Sequence, residues 1–219
     1  MDTKTQDDVP QPTLRRLPSY LHILRRFQVE GREMVSCPQI AEETKLNPTQ
    51  IRKDLAAAGA IGRAKVGYRL TELIHSLEDF LGWNSISSAF LAGVGSLGSA
   101  LLGHERFSQY GLEIVAAFDN DPAKVGHRVH GREVMPIDKL AGMSQRMYIH
   151  IGILTVPPQA AQAVADIMVL GGIRAVWNFA PTVLHCPPHV IVENVDLASS
   201  LAVLSSRLAT VLRQESPGG

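Results

Sequence analysis

Three glycines in the run Gly93-Val94-Gly95-Ser96-Leu97-Gly98, with Asp119 further on, have the types and spacing to do chemistry. That chemistry is the holding of a dinucleotide. The first glycine permits a tight turn, the second lets backbone approach a pyrophosphate, and the third lets a helix pack close on a strand. A pyrophosphate placed there meets free N–H groups and the positive end of a helix dipole. Asp119 then accepts hydrogen bonds from a ribose diol, and its charge repels a 2′-phosphate, which favours NAD(H) over NADP(H). A strand-to-helix turn that binds nothing would use the same glycines.

A second group of residues has the chemistry of nucleic-acid recognition. Thr49, Gln50, Arg52 and Lys53 fall on the first turns of one short helix. In a helix-turn-helix those are the positions that reach base edges: Arg and Lys donate to guanine, and Gln reads adenine. Arg63 and Lys65 beyond that helix, with Arg15 and Arg16 before the first one, are suited to phosphates. From Leu14 to Leu70 there are 11 Lys/Arg against 5 Asp/Glu, although the whole chain is neutral. Such a bias points to a polyanionic partner for this part alone, and a solvated surface would give the same count.

The elements that must position these residues are legible as patterns. Residues 1–13 read as a disordered leader with Pro10 and Pro12, and a helix is expected from Pro18 to Glu30. Ser36 with Gln39 forms a capping box for a second helix to about Thr44. Asn47 and Pro48 start a third, with Ile51, Leu55 and Ala58 inward and Gly59 at its end. Gly62 to Leu70 reads as a wing, Thr71 to Gly82 as a fourth helix, and Trp83-Asn84-Ser85 as a linker.

From Ser88 strands and helices alternate. Strands are expected at Ala89–Ala92, Ile114–Phe118, Glu133–Met135, Tyr148–Val156, Ala175–Phe179 and Val190–Asn194, with helices near Ile137–Ala141 and over Gln159–Leu170. The fold class is therefore α/β: an N-terminal winged helix-turn-helix (14–84), a Rossmann-like, mostly parallel sheet (85–195) and a C-terminal helix (196–214). Leu197, Leu201, Leu204, Leu208 and Val211/Leu212 form a stripe on that last helix, which serves either a core or a partner subunit. Lys124, Thr155-Val156-Pro157 and Asn178-Phe179 fall near or at strand ends, where open sheets bind ligands.

Several classes are disfavoured. No apolar run reaches the length of a membrane span, and the polar N-terminus has no signal core, so a cytoplasmic protein is expected. Cys37 and Cys186 stand apart, which argues against a disulfide or a metal site. The histidines of the second half pair with no acid in a recognisable catalytic frame, and no substrate domain remains, so an oxidoreductase is the weaker reading.

In this order, these segments resemble the redox-sensing transcriptional repressor family Rex, from about Leu14 to Arg213. The likeness is carried by Ile51-Arg52-Lys53-Asp54-Leu55, Gly59, Gly62, Gly67-Tyr68, the Gly93–Gly98 turn, and Phe118-Asp119-Asn120-Asp121-Pro122 with Lys124-Val125-Gly126. Leu154-Thr155-Val156-Pro157, Asn178-Phe179-Ala180-Pro181 and Asp196-Leu197-Ala198 complete it. The resemblance implies a homodimer that exchanges its C-terminal helix, binds operator DNA, and releases it when NADH binds. It also implies interface or switch roles for Asp196 and for His104, where family members often carry Tyr. Ala57-Ala58 replace an aromatic pair, and Ala64-Lys65-Val66 replace the usual wing residues. These departures leave open a paralogue whose Rossmann domain is structural or reads another ligand.

Overall fold

Two compact units divide the chain, Met1–Ser85 and Ile86–Gly219. The computed structural model describes residues 9–63 and 66–215. The first unit begins with α1 (Gln11–Val29), which starts seven residues before the expected Pro18. Residues 11–13, read as leader, are its first turn. Pro12 stands there without cost, but Pro18 lies inside the helix, where it removes an i→i−4 bond and costs about 3 kcal/mol. Packing overrides that cost: Leu17, Tyr20, Leu21, Leu24 and Phe27 are all essentially inaccessible to water.

The strand β1 (Met34–Val35) leads to α2 (Cys37–Thr44) and α3 (Pro48–Ala57). Both helices start at the caps read from sequence. Gln39 Oε1 accepts from the Ser36 N–H at 2.8 Å, and the Asn47 side chain accepts from the Thr49 N–H at 2.8 Å. β2 (Tyr68–Arg69) pairs antiparallel with β1, Val35 opposite Tyr68, and α4 (Leu70–Leu81) closes the unit. One core, with Ile40, Ile51, Leu55, Leu73 and Leu77 among its members, joins all four helices.

The second unit is a seven-stranded sheet. Its strands are β3 (Ser87–Ala92), β4 (Leu112–Asp119), β5 (Arg128–Val129), β6 (Arg132–Pro136), β7 (Ile151–Leu154), β8 (Ala175–Asn178) and β9 (Ile191–Asn194). The order is β5-β6-β4-β3-β7-β8-β9, and only the β5–β6 pair is antiparallel. Helices α5 (Ser96–Leu102), α6 (Leu140–Met147) and α7 (Pro158–Leu170) connect the strands, and α8 (Leu197–Glu215) follows β9. Neighbouring strands end level: Ala92 lies opposite Phe118 and Leu154, and Leu154 opposite Asn178. Strand order reverses between β4 and β7 around β3, which opens a crevice at the carboxyl ends.

Two expected segments of the second unit take another form. The helix expected over Ile137–Ala141 is a 3-10 turn (Ile137–Lys139) that runs on into α6. Tyr148, expected in a strand, is the left-handed residue that ends α6, at φ +53°. Ser144 explains the extension: its hydroxyl donates to the Leu140 and Gly171 carbonyl oxygens, tying α6 to the end of α7.

Candidate functional sites

Gly93 follows β3 at φ +96°, and a side chain on it would press into the Thr155 backbone at 2.8 Å. Gly98 is tighter still. A Cβ there would sit 2.0 Å from the Gly93 carbonyl oxygen and 2.9 Å from Thr155 Oγ1. Thr155 holds this crossing together, its hydroxyl donating to the Gly93 oxygen at 2.7 Å and the Ala92 oxygen at 3.0 Å. Gly95 is different: nothing lies within 4 Å of the space its side chain would fill. It is the N-cap of α5 and, as a glycine, gives that helix no side-chain cap.

A cleft of about 710 Å³ opens at this rim. It gathers seven of the residues read from sequence: Gly93, Gly95, Asp119, Lys124, Thr155, Val156 and Pro157. Asp119 ends β4 and is 6% exposed. Its Oδ2 accepts from the Val94 N–H at 2.7 Å and from Lys124 Nζ at 3.1 Å, and its Oδ1 accepts from the Asp121 N–H at 2.9 Å. Burial pushes this carboxyl up, but the two backbone N–H groups and Lys124 outweigh it and hold the group below the usual carboxylate range. Lys124, read as reaching a ligand edge, is thus paired to Asp119 itself.

Six residues of the expected set lie elsewhere. Val94 is buried in the core and contributes its N–H to Asp119. Ser96, Leu97 and Gly98 form the first turn of α5 and do not line the cleft. Asn178 is fully buried, and its amide is spent internally: Nδ2 donates to the Thr182 oxygen and Asn194 Oδ1, and Oδ1 accepts from the Ala180 N–H. It is a corner strut and has no free group to offer a ligand. Phe179 is turned toward Trp177, with ring centroids 4.8 Å apart.

The wall that sequence reading missed is α7. Ala160, Ala163, Val164 and Ile167 line the cleft at i, i+3, i+4, i+7 spacing, with Ile137 and Pro181 beside them. The signal was present as a stripe of small and branched residues, but it reads equally as core. His104, given an interface or switch role by the resemblance, lines a separate cavity of about 460 Å³ with Phe107, His130 and Arg132. Its ring meets Phe107 edge to face, centroids 4.7 Å apart, Phe107 meets Trp177 in the same way at 5.8 Å, and the series ends at Phe179. Asp196 caps α8, accepting from the Ala198 N–H at 2.9 Å and from the Ser199 hydroxyl.

In the first unit, Thr49, Arg52 and Lys53 are exposed on α3. Arg52 and Arg63 share a groove of about 560 Å³ with Pro38 and Val66. Arg63 is held at the base of the wing, where its N–H donates to the Gly67 oxygen at 2.7 Å. Lys65 lies outside the described residues. Arg15 is exposed on α1.

Arg16 departs from its expected role at a phosphate. Its Nε donates to Asp54 Oδ2 at 2.7 Å and its Nη2 to Asp54 Oδ1 at 2.8 Å. Asp54 is only 1% exposed and also accepts from Thr13 Oγ1, Tyr20 Oη and Gln50 Nε2. Sequence reading missed this centre because nothing local marks an aspartate on a basic helix as buried.

Burial pushes the Asp54 carboxyl up, and the bonds from Arg16, Tyr20, Gln50 and Thr13 more than reverse this, lowering it from 3.8 to about 2. A carboxyl whose folded value is depressed stabilises the fold above its unfolded value, and that stability is lost as pH falls through the folded one. Between pH 4 and 2 the first unit is therefore expected to lose of order 2 kcal/mol. Asp54→Asn should flatten that part of the stability–pH curve in denaturant titrations, and an unchanged slope would contradict the assignment.

Comparison with known proteins places both units. The family model "Putative DNA-binding protein N-terminus" matches residues 8–56, and "CoA binding domain" matches residues 84–182. The Redox-sensing transcriptional repressor Rex of Bacteroides fragilis is 46% identical over 94% of this chain and 93% of its own. That of Treponema denticola is 43% identical over 91% and 95%. Among solved structures, RSP, a Rex-family repressor, in complex with β-NAD+ and operator DNA superposes with a TM-score of 0.86 at 33% identity, covering 95% and 99% of the two chains. The complex of RSP with β-NADH gives 0.84 at 32% identity, over 95% and 99%. With such identity across nearly its full length, the chain belongs to the Rex family of redox-sensing transcriptional repressors.

Proposed function

We propose that this chain binds operator DNA through α3 and the wing and reads the NADH/NAD+ ratio in the cleft beside Gly93 and Asp119. One observation carries the reading: the cleft sets the Asp119 carboxylate and an open glycine turn against a largely apolar wall from α7, with Asn120 and Asp121 also lining it. The Thr155 hydroxyl is engaged by backbone oxygens, and among the described residues no histidine, cysteine, serine or tyrosine lines the cleft to act as nucleophile or proton shuttle. Such a lining suits binding a ligand rather than transforming it. The RSP structures with NADH and with NAD+ plus operator DNA support the same ligands here.

For the cleft to act as a sensor, NADH must bind the DNA-free form more tightly than the DNA-bound form. The protein acts as a homodimer on two half-sites, with α8 as part of the interface, and works in the cytoplasm, where operator DNA and the nicotinamide pool meet. His104 and Asp196 belong to the interface that couples the ligand to the DNA. Gel-shift titration with a palindromic operator tests the sensing: NADH should release DNA at concentrations where NAD+ does not, and equal effects of the two would refute it. Asp119→Ala should weaken NADH binding and spare DNA binding, and Arg52→Ala the reverse.

A further inference from the structure

The recognition helix has a narrow footing. Of its ten residues, Ile51, Asp54 and Leu55 are the buried ones, and Ile51 and Leu55 lie along a single line at i, i+4 spacing. Two apolar side chains on one line fix a helix against its neighbour but leave it free to roll about that line. Asp54 sits beside the line and accepts five hydrogen bonds. Three residues of α1, Thr13, Arg16 and Tyr20, supply four of them from a single face at i, i+3, i+7 spacing. The fifth comes from Gln50, one turn earlier on α3, at 2.9 Å.

We infer that Thr13, Arg16, Tyr20 and Asp54 are positioning residues for DNA recognition: they set the roll of α3 on α1 and orient the Gln50 amide, with Arg16 acting through Asp54 and not on a phosphate. The inference rests on the reading of α3 as the DNA-recognition helix. An ionised carboxylate only accepts, so the Gln50 atom facing it must be the amide nitrogen, and Oε1 is left as the acceptor for a base. Gln50 therefore reads a donor-bearing base edge in one fixed orientation. Arg16 suits this task because its planar fork meets both carboxylate oxygens at once, which a lysine cannot do. The early start of α1, through Pro18, is what places Thr13 and Arg16 on the helix at all.

The test uses the full chain and an operator selected from a random-sequence duplex pool, titrated at several salt concentrations. Arg16→Lys keeps the charge and loses the fork, and is expected to weaken operator binding by about 10-fold or more. Arg16→Met should weaken it similarly and leave the slope of log affinity against log salt unchanged. A phosphate contact would instead lower that slope by about one and tolerate Lys. Asp54→Asn should relax discrimination at the same base position as Gln50→Ala. Tyr20→Phe, which removes one hydroxyl and keeps the packing, should give a smaller loss with the same salt slope.

Circular-dichroism melts show which variants have folded heads, and Tyr20→Phe and Arg16→Lys carry the test if Asp54→Asn does not fold. Wild-type binding by Arg16→Lys, a reduced slope in Arg16→Met, or unaltered base preference in a folded Asp54→Asn would overturn the proposal. Failure of the wild-type chain to select any operator would instead overturn the reading of α3 as a recognition helix.

Discussion

Gly98→Ala is expected to abolish dinucleotide binding and leave the DNA-binding unit folded. The new methyl would lie 2.0 Å from the Gly93 oxygen, a contact that no real pair of atoms sustains, and 2.9 Å from Thr155 Oγ1. Neither neighbour can give way cheaply, because Gly93 is pinned by the Thr155 hydroxyl and Thr155 by its bonds to two backbone oxygens. Helix α5 must then move off the turn, which disturbs the Gly93–Thr155 crossing that borders the cleft. A loss of at least about 100-fold in NADH affinity, or about 2.7 kcal/mol, is expected in calorimetric titration. Gly95→Ala gives the informative contrast. Its methyl enters open space, so thermal stability should hold while the ligand meets a filled site. Micromolar NADH binding by Gly98→Ala would show that the turn is not the cradle.

The second large effect is expected at α8. Leu201, Leu204 and Leu208 are 61%, 63% and 54% exposed, and Val211 and Leu212 continue the series. Burying each such leucine against a second copy would contribute about 2 kcal/mol, so this helix is the expected interface of the proposed homodimer. The Leu204→Glu/Leu208→Glu double variant places two charges one turn apart on the stripe. It should halve the mass measured by light scattering and lower operator affinity by two orders of magnitude or more, because each half-site is then bound alone. A variant that stays dimeric would move the interface elsewhere on the chain.

What was legible in the sequence was what local chemistry dictates. The Gly93–Gly98 turn could be read because only glycine fits a backbone crossing that close, and Asp119 because a strand end fixes its place. The starts of α2 and α3 could be read because Ser36 with Gln39, and Asn47 with Pro48, answer needs that arise within four residues. The residues that were misplaced answer distant needs. Pro18 reads as a helix start until the burial of Leu17 and Tyr20 is known, and Tyr148 reads as a strand residue until it is seen closing α6. Arg16 and Asn178 look like ligand-facing groups, yet their partners Asp54 and Asn194 lie 38 and 16 residues away. A sequence names the donor in such pairs and hides the acceptor.

The bonds already made by Asp119 bear on how fast and how selectively the cleft can fill. Its carboxylate has been stripped of bulk water by folding and is clamped from three directions before any ligand arrives. If a ribose diol binds Asp119 as proposed, the contact it is expected to displace is Lys124 Nζ, the longest of the three bonds and the one on a flexible stem. Binding would then be a swap of partners on a carboxylate whose place is already set by two backbone N–H groups. The displaced ammonium would keep Asp121 within reach and remain at the cleft, where its charge favours a ligand that carries two phosphates.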